Sequence, residues 1–503
     1  MTARSPIEPP TRGTGPLVAV LAFAGIVASL TQTLVVPLLV ELPRIFDTTP
    51  SNTSWMITVT LLASAVITPV AGRLGDMYGK RRVILGSFVP LILGSVLCAV
   101  ADSVVPMIIG RGLQGLAAGI VPLGISLLKD VLPPAQLRGA IALVSSSLGI
   151  GGALGLPIAA AVVQFTDWRI LFWATATVSL LCLVLIWKIV PAAVAPARAG
   201  KFDFLGAFGL SAALVCLLLA VSKGGDWGWG SPLVVGLLGA AVILLGLWGW
   251  WELHASDALV DLRVTIRRAV LLTNVASILL GFAMYARSLI LPQILQLPTE
   301  TGYGLGQSML QMGLLMAPAG LAMMLVSPLG AKLSARRGPK TTLIVGAVVT
   351  ASSYAVSAFM MDTAWGLLTA NVIAGIGLGF AYGAMPALIM DGVPNAETGS
   401  ANSFNALLRA IGTSISGAVI GVVLAQMTTH SGSHLVPTVD GFRTGLFIGC
   451  AVALIAALVA FAIPRTRTSG LDDDHQTSIT TNHPQYPSNH QATLELNCER
   501  RPL

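Results

Sequence analysis

Charge is what this chain has least of. Only 10% of its 503 residues are Asp, Glu, Lys or Arg, against 54% apolar residues and a mean hydropathy of +0.81. Soluble domains carry about 25% charged residues. A chain this poor in charge would expose too much apolar surface to water, which excludes a soluble enzyme, a disordered protein and a nucleic-acid module. Cysteine is scarce too. Cys98, Cys182, Cys216 and Cys450 lie in apolar runs and Cys498 near the C-terminus, with no C-x-x-C pair or zinc spacing. There is no Walker loop, so ATP is not expected to drive the protein directly. The glycines from Gly375 to Gly383 imitate a dinucleotide loop, but they sit inside an apolar run with no strand before them. No nucleophile, base or metal constellation is legible, so neither an enzyme nor a cofactor is expected.

What is abundant is long apolar runs. About 20 apolar residues cross the hydrocarbon as a helix. Such runs fall at 16–40, 54–72, 83–101, 104–128, 139–163, 169–190, 203–222, 231–251, 270–295, 308–331, 341–361, 364–388, 400–427 and 441–463. Fourteen spans place both termini on one side. The first run lacks a small-residue cleavage site and reads as an anchor. One set of alternate loops holds sixteen Lys and Arg, and the other holds Arg44, Arg169, Lys223 and Arg443. The richer set, with both termini, is expected in the cytoplasm. The formal net charge of +7 is then largely a topology signal. Residues 465–503 are polar and cannot bury enough apolar surface to fold. His475, His483 and His490 lie there and read as solvated rather than metal-binding. Trp227 and Trp229 read as interfacial anchors.

The chain also repeats itself. Pro37, Leu42 and Pro43 at the end of the first run recur as Pro292, Leu297 and Pro298 after the ninth, with Glu41 matched by Gln296. Pro69, Leu74 and Gly79 recur as Pro328, Leu333 and Gly338. Spans nine to fourteen therefore repeat spans one to six in the same orientation, with two spans between. The expected organisation is an N-terminal segment (1–15), a six-helix bundle (16–190), a linker with two extra helices (191–269), a second six-helix bundle (270–463) and a tail (464–503). Two such bundles place a binding site between them near the bilayer midplane.

The loop after the second run reads Gly72-Arg-Leu-Gly-Asp76-Met-Tyr-Gly79-Lys80-Arg81-Arg82. Gly79 permits a tight turn. Asp76 stands at a helix end, where it can pair with a basic residue or a helix N-terminus. This loop resembles the signature of the major facilitator superfamily. Arg111-Gly-Leu-Gln114-Gly115 resembles the fourth-span pattern of that family, where the arginine is associated with proton transfer. Gly149 to Pro157, through Gly155, resembles its antiporter motif, although Pro157 is displaced by one place. Fourteen spans, with Asp203-Phe-Leu-Gly206 before the seventh and Glu252 to Arg263 before the ninth, resemble the drug:proton antiporter branch that includes the EmrB/QacA-type multidrug exporters. The resemblance implies an all-α membrane protein with the major facilitator fold and 14 transmembrane helices (6+2+6). It also implies a conformational gate at Gly72, Asp76, Gly79, Lys80, Arg81, Gly155 and Pro157.

Two departures matter. The second copy of the loop has Ala335 where Asp76 stands, so any charge lock is one-sided. The first span has Thr31 where the branch carries an aspartate, and each of the 22 carboxylates falls in a loop, a helix end or the tail. Glu41 and Asp76 are left as the candidate proton carriers. The charges within spans are Arg111, Arg287 and Arg409. By the repeat, Arg287 corresponds to Gln32, so both are expected to face the central cavity. Three cations there would repel a cationic substrate and favour neutral or anionic amphiphiles; the alternative is that backbone carbonyls satisfy each arginine. The expected pathway is lined by Thr31, Gln32, Arg111, Gln114, Asn274, Tyr285, Arg287, Gln311, Asn371 and Arg409. The expected function is export of drug-like or antibiotic amphiphiles through a bacterial cell membrane, in exchange for protons, by a monomer embedded in the lipid bilayer. The alternative is uptake or facilitated passage of a neutral or anionic metabolite.

Overall fold

The computed structural model describes residues 14–35, 38–191, 201–431 and 434–464. Fourteen helices are long and apolar enough to cross a membrane. They are α1 (Thr14–Thr33), α2 (Asn52–Tyr78), α3 (Lys80–Ala99), α4 (Val104–Val131), α5 (Pro134–Phe165), α6 (Arg169–Ile189) and α7 (Phe204–Trp227). They continue with α8 (Pro232–His254), α9 (Arg268–Gln296), α10 (Met309–Arg337), α11 (Pro339–Phe359), α12 (Ala364–Gly392), α13 (Asn395–Gln426) and α14 (Val439–Ala462). Most spans run longer than the apolar runs because their polar ends stay helical, while α6 and α11 match their runs to within one residue in length. The first is much shorter: it stops at Thr33, and a separate short helix follows over Leu38–Ile45. A two-stranded antiparallel hairpin, Thr428–Ser431 with His434–Pro437, joins α13 to α14 and was not expected from the apolar pattern. The segments 1–13 and 465–503 lie outside the described residues, so the tail and its histidines do too.

Each bundle buries its own apolar core. Leu21, Phe88, Leu123 and Val144 meet in the first; Ile290, Tyr354, Leu446 and Ala453 meet in the second. The α7–α8 pair packs elsewhere. Leu210, Leu214 and Trp248 join Ala65 of α2 and Phe404 of α13 in one cluster, so α7 lies along the line where α2 meets α13. The repeat is visible in the backbone. Gly79 turns α2 into α3 at φ +98°, and Gly338 turns α10 into α11 at φ +85°. Both angles lie in the region that glycine enters without steric cost.

Candidate functional site

The bundles touch along two seams. The end of the molecule where the Lys- and Arg-rich loops gather is called the basic end below. There, α2 ends at Tyr78 and the helical turns of α13 begin at Thr398. Asp76 lies between them and is 6% exposed. The Gly399 and Ser400 amides donate to its carboxylate at 2.9 and 2.7 Å. These are two of the donors that a helix N-terminus leaves unsatisfied, and a carboxylate there gains from the helix dipole as well. Beside it, Lys80 Nζ donates to Asp130 at 2.7 Å and to the Thr398 hydroxyl at 2.9 Å. The Ser126 hydroxyl donates to the Thr398 carbonyl at 2.8 Å. Gly72 is needed because a Cβ there would fall 2.6 Å from Ser403 and 2.8 Å from the Gly399 carbonyl. Gly72, Asp76, Gly79 and Lys80 thus stand together at one seam. Arg81 does not join them. Its guanidinium donates to the Trp187 carbonyl at 2.5 Å, inside its own bundle.

The second seam joins α5 to α10. Pro157 faces Gly313, where a Cβ would fall 2.9 Å from the Pro157 Cα. Gly155 faces the other way and lets α5 approach Thr33 of α1. At the basic end Arg138 donates to the Ser334 carbonyl at 2.8 Å, and Lys129 of α4 donates to the Met390 carbonyl at 2.6 Å.

The expected pathway residues separate into three groups. Arg111 is 1% exposed and donates to the Thr31 carbonyl at 2.8 Å and to Gln114 at 2.7 Å; Gln114 donates onward to Ser95 at 2.9 Å. Arg287 is 4% exposed and donates to Ser357 at 3.2 Å and Ser353 at 2.5 Å, with its guanidinium over the Tyr354 ring. The expectation that these two arginines face a central cavity is therefore corrected. Each is sealed within its own bundle, because carbonyls and hydroxyls there satisfy the buried cation. Gln32, the repeat partner of Arg287, is exposed instead.

A second group is structural in its contacts. Asn274 is buried and accepts from Asn405 at 2.8 Å, and Asn371 is buried and donates to the Met316 carbonyl at 3.0 Å. Gln311 is exposed and closes a capping box with Ser308 at the start of α10. That is an end-cap role rather than a mid-membrane one.

Arg409 and Tyr285 form the third group, and both are partly exposed. The Arg409 guanidinium lies 4.7 Å from the centroid of the Tyr382 ring. Tyr382 donates to the Met284 sulfur at 2.9 Å and belongs to an apolar cluster that Leu148 of α5 also touches. Arg409 therefore stands where the two bundles meet. No described carboxylate lies within ion-pair distance of it. Glu41 lies in the short helix Leu38–Ile45, but its side chain is outside the described residues. Asp130 as the partner of Lys80, and the amides that cap Asp76, were not legible in the sequence, because both depend on which helix ends meet.

Two pseudo-repeated bundles that meet along two seams and are fastened at one end form the architecture of a membrane transporter, and the wider comparisons agree. A family model described as the Major Facilitator Superfamily matches residues 21–417, and the chain belongs to that family. It is 29% identical over 411 residues to an uncharacterized MFS-type transporter of Mycobacterium tuberculosis, covering 81% of this chain and 59% of that one. It is 28% identical to a multidrug resistance protein B homolog of the same organism, covering 77% and 72%. It is 27% identical to the tetracenomycin C resistance and export protein of Streptomyces glaucescens, covering 75% and 69%. Among solved structures, the human organic anion transporter MFSD10 superposes with a TM-score of 0.66 at 15% identity, covering 90% of this chain and all of that one. The proton:xylose symporter XylE superposes at 0.61 and 13% identity, covering 90% and 96%.

Proposed function

We propose that this protein exports drug-like or antibiotic amphiphiles across a bacterial cell membrane by alternating access, in exchange for protons. The basic end and both termini face the cytoplasm, and the working unit is the monomer. The observation that carries this reading is Asp76 on the first amides of α13. It fastens one bundle to the other at the cytoplasmic end only, so one contact set holds one of two access states. Substrate binding shifts such an equilibrium only as far as its affinity differs between the states. The names of the multidrug resistance and tetracenomycin relatives support export over uptake.

The substrate contact is Arg409 with Tyr382, Met284 and Tyr285. A partly exposed guanidinium on an aromatic floor suits an anionic or neutral amphiphile and disfavours a cation. With Arg111 and Arg287 sealed away, this preference rests on Arg409 alone. Proteoliposomes with the cytoplasmic face outward and an acid interior are offered taurocholate, chloramphenicol and tetraphenylphosphonium. Gradient-dependent accumulation of the first two is expected. Arg409→Gln should lower taurocholate accumulation about tenfold, the worth of one charge-assisted hydrogen bond, and change chloramphenicol by less than about threefold. Equal losses for both probes would remove Arg409 as the source of charge preference. Net uptake from outside the cell would favour the metabolite carrier instead.

A further inference from the structure

Away from Arg409, a cavity of about 100 Å³ opens at the cytoplasmic end. Arg73 of α2, Glu252 of α8, Asp261 and Arg263 of the segment before α9, and Glu397 and Ser400 at the start of α13 line it. It has room for water. Ser400 supplies one of the two amides on Asp76, and Arg73 stands three residues before Asp76 on α2, so the cavity wall is the gate itself.

Glu252 is the unusual member. It is 2% exposed, and neither carboxyl oxygen has a hydrogen-bond partner. The Leu259 and Val260 amides and the Trp248 indole lie near its oxygens without reaching hydrogen-bond geometry. Its neighbour Asp203 is the opposite case. Asp203 accepts from the Gly206 amide at 2.8 Å, capping α7, and from the Trp251 indole at 3.0 Å. A Cβ on Gly206 would fall 2.2 Å from Asp203 Oδ2 and 2.9 Å from Glu252 Oε1, so the two carboxyls are neighbours. Arg73 is 3% exposed, and its Nε is also without a partner. A buried carboxyl with no donors is comfortable as the neutral acid and costly as an anion until a cation reaches it.

We propose that Glu252 is the cytoplasmic site of the exchanged proton. While the α2–α13 seam is closed it holds the proton as the neutral acid. When the seam opens, the O–H bond breaks, the electron pair stays on the carboxylate, and a cavity water carries the proton to the cytoplasm. Arg73 then pairs with the carboxylate until a proton returns. The charged groups facing Glu252 are Arg73 from α2, Asp203 at the cap of α7, Asp261 and Arg263 from the segment before α9, and Glu397 at the start of α13. This inference rests on proton exchange being the coupling mode.

The test compares wild type, Glu252→Gln and Glu252→Asp in proteoliposomes with taurocholate and chloramphenicol. Gradient-driven accumulation should fall about tenfold in Glu252→Gln, with gradient-free counterflow kept, and Glu252→Asp should recover part of the loss. Infrared difference spectra of the purified proteins give a second readout. A pH-dependent carboxylic-acid carbonyl band should be present in wild type and absent in Glu252→Gln, whatever the variant's transport rate. Gradient-driven accumulation at the wild-type level in Glu252→Gln, or an unchanged band, would overturn this site and leave proton exchange standing. Wild type without gradient dependence for either probe would overturn both.

Discussion

The two seams between the bundles are built on different physics. Along α2–α13, close backbone contact and charged bonds coincide at the basic end, where Gly72 meets Gly399 and Asp76 caps α13. Along α5–α10, tight contact runs through the middle of the span. A Cβ on Gly320 would fall 2.4 Å from the Gly149 carbonyl, and a Cβ on Gly149 would fall 2.2 Å from the Met323 sulfur. The first seam is held by short, charged, directional bonds that vanish once the helices part. The second is held by shape, which tolerates sliding but not added volume. The two together suit a molecule that fastens at one line and pivots on the other. The α7–α8 pair strengthens the contrast, since it covers only the α2–α13 line.

The largest break in this comparison should come from Asp76→Ala. It removes two charge-assisted hydrogen bonds and leaves two amides without their acceptor, a loss of about 3–5 kcal/mol. Such a loss moves a two-state equilibrium by about a hundredfold or more toward the state open at the basic end. Spin labels at Tyr78 and Arg336, at the basic ends of α2 and α10, should report a longer distance in the variant. A wild-type distance distribution would mean that the carboxylate is not what holds this seam.

A smaller effect is expected on the other seam. Gly320→Ala gains about 0.5–1 kcal/mol of helix propensity. Its methyl would overlap a backbone oxygen that cannot rotate away, at a cost of about 1–3 kcal/mol. The overlap wins, so the variant should melt at a lower temperature than wild type. Gly236→Ala is the control, because nothing lies within 4 Å of a Cβ there; it should melt at or above the wild-type temperature. Equal shifts for both variants would deny that α5–α10 packing depends on the missing side chain.

Much of this contrast was legible in the sequence, and the part that was not has a physical reason. Span number followed from apolar length, because hydrocarbon thickness fixes it. The repeat was visible in Gly79 and Gly338, since each must turn at positive φ. The sequence marks Arg111, Arg287 and Arg409 as charges within spans, but not the direction each one faces. Arg111 and Arg287 turn inward because Thr31, Gln114, Ser353 and Ser357 offer them acceptors, and all of these contacts except Arg111–Gln114 join residues far apart in the chain. The Asp76 cap was anticipated as a type of contact; its partner was not, because helix-terminal amides carry no residue signature. Glu252 stood in view as a helix-end carboxylate. Its lack of partners is a property of three packed helices, and no spacing encodes it.

The smallest effect should come from giving the second loop the residue that it lacks. Ala335 occupies the place of Asp76 in the repeat and is exposed. An aspartate there would sit in the last turn of α10, where the helix dipole disfavours it by about 0.3–1 kcal/mol. Arg138 could offer it a surface ion pair worth about 0.2–1 kcal/mol. These two nearly cancel. The helix start across that seam also differs: the Gln136 amide of α5 already donates to the Pro133 carbonyl at 3.0 Å, whereas the Ser400 amide of α13 is given to Asp76. Ala335→Asp should therefore change the Tyr78–Arg336 distance distribution little, and adding it to Asp76→Ala should not restore closure. Restoration by the double variant would locate the difference between the seams in the carboxylate alone, and not in the helix terminus that receives it.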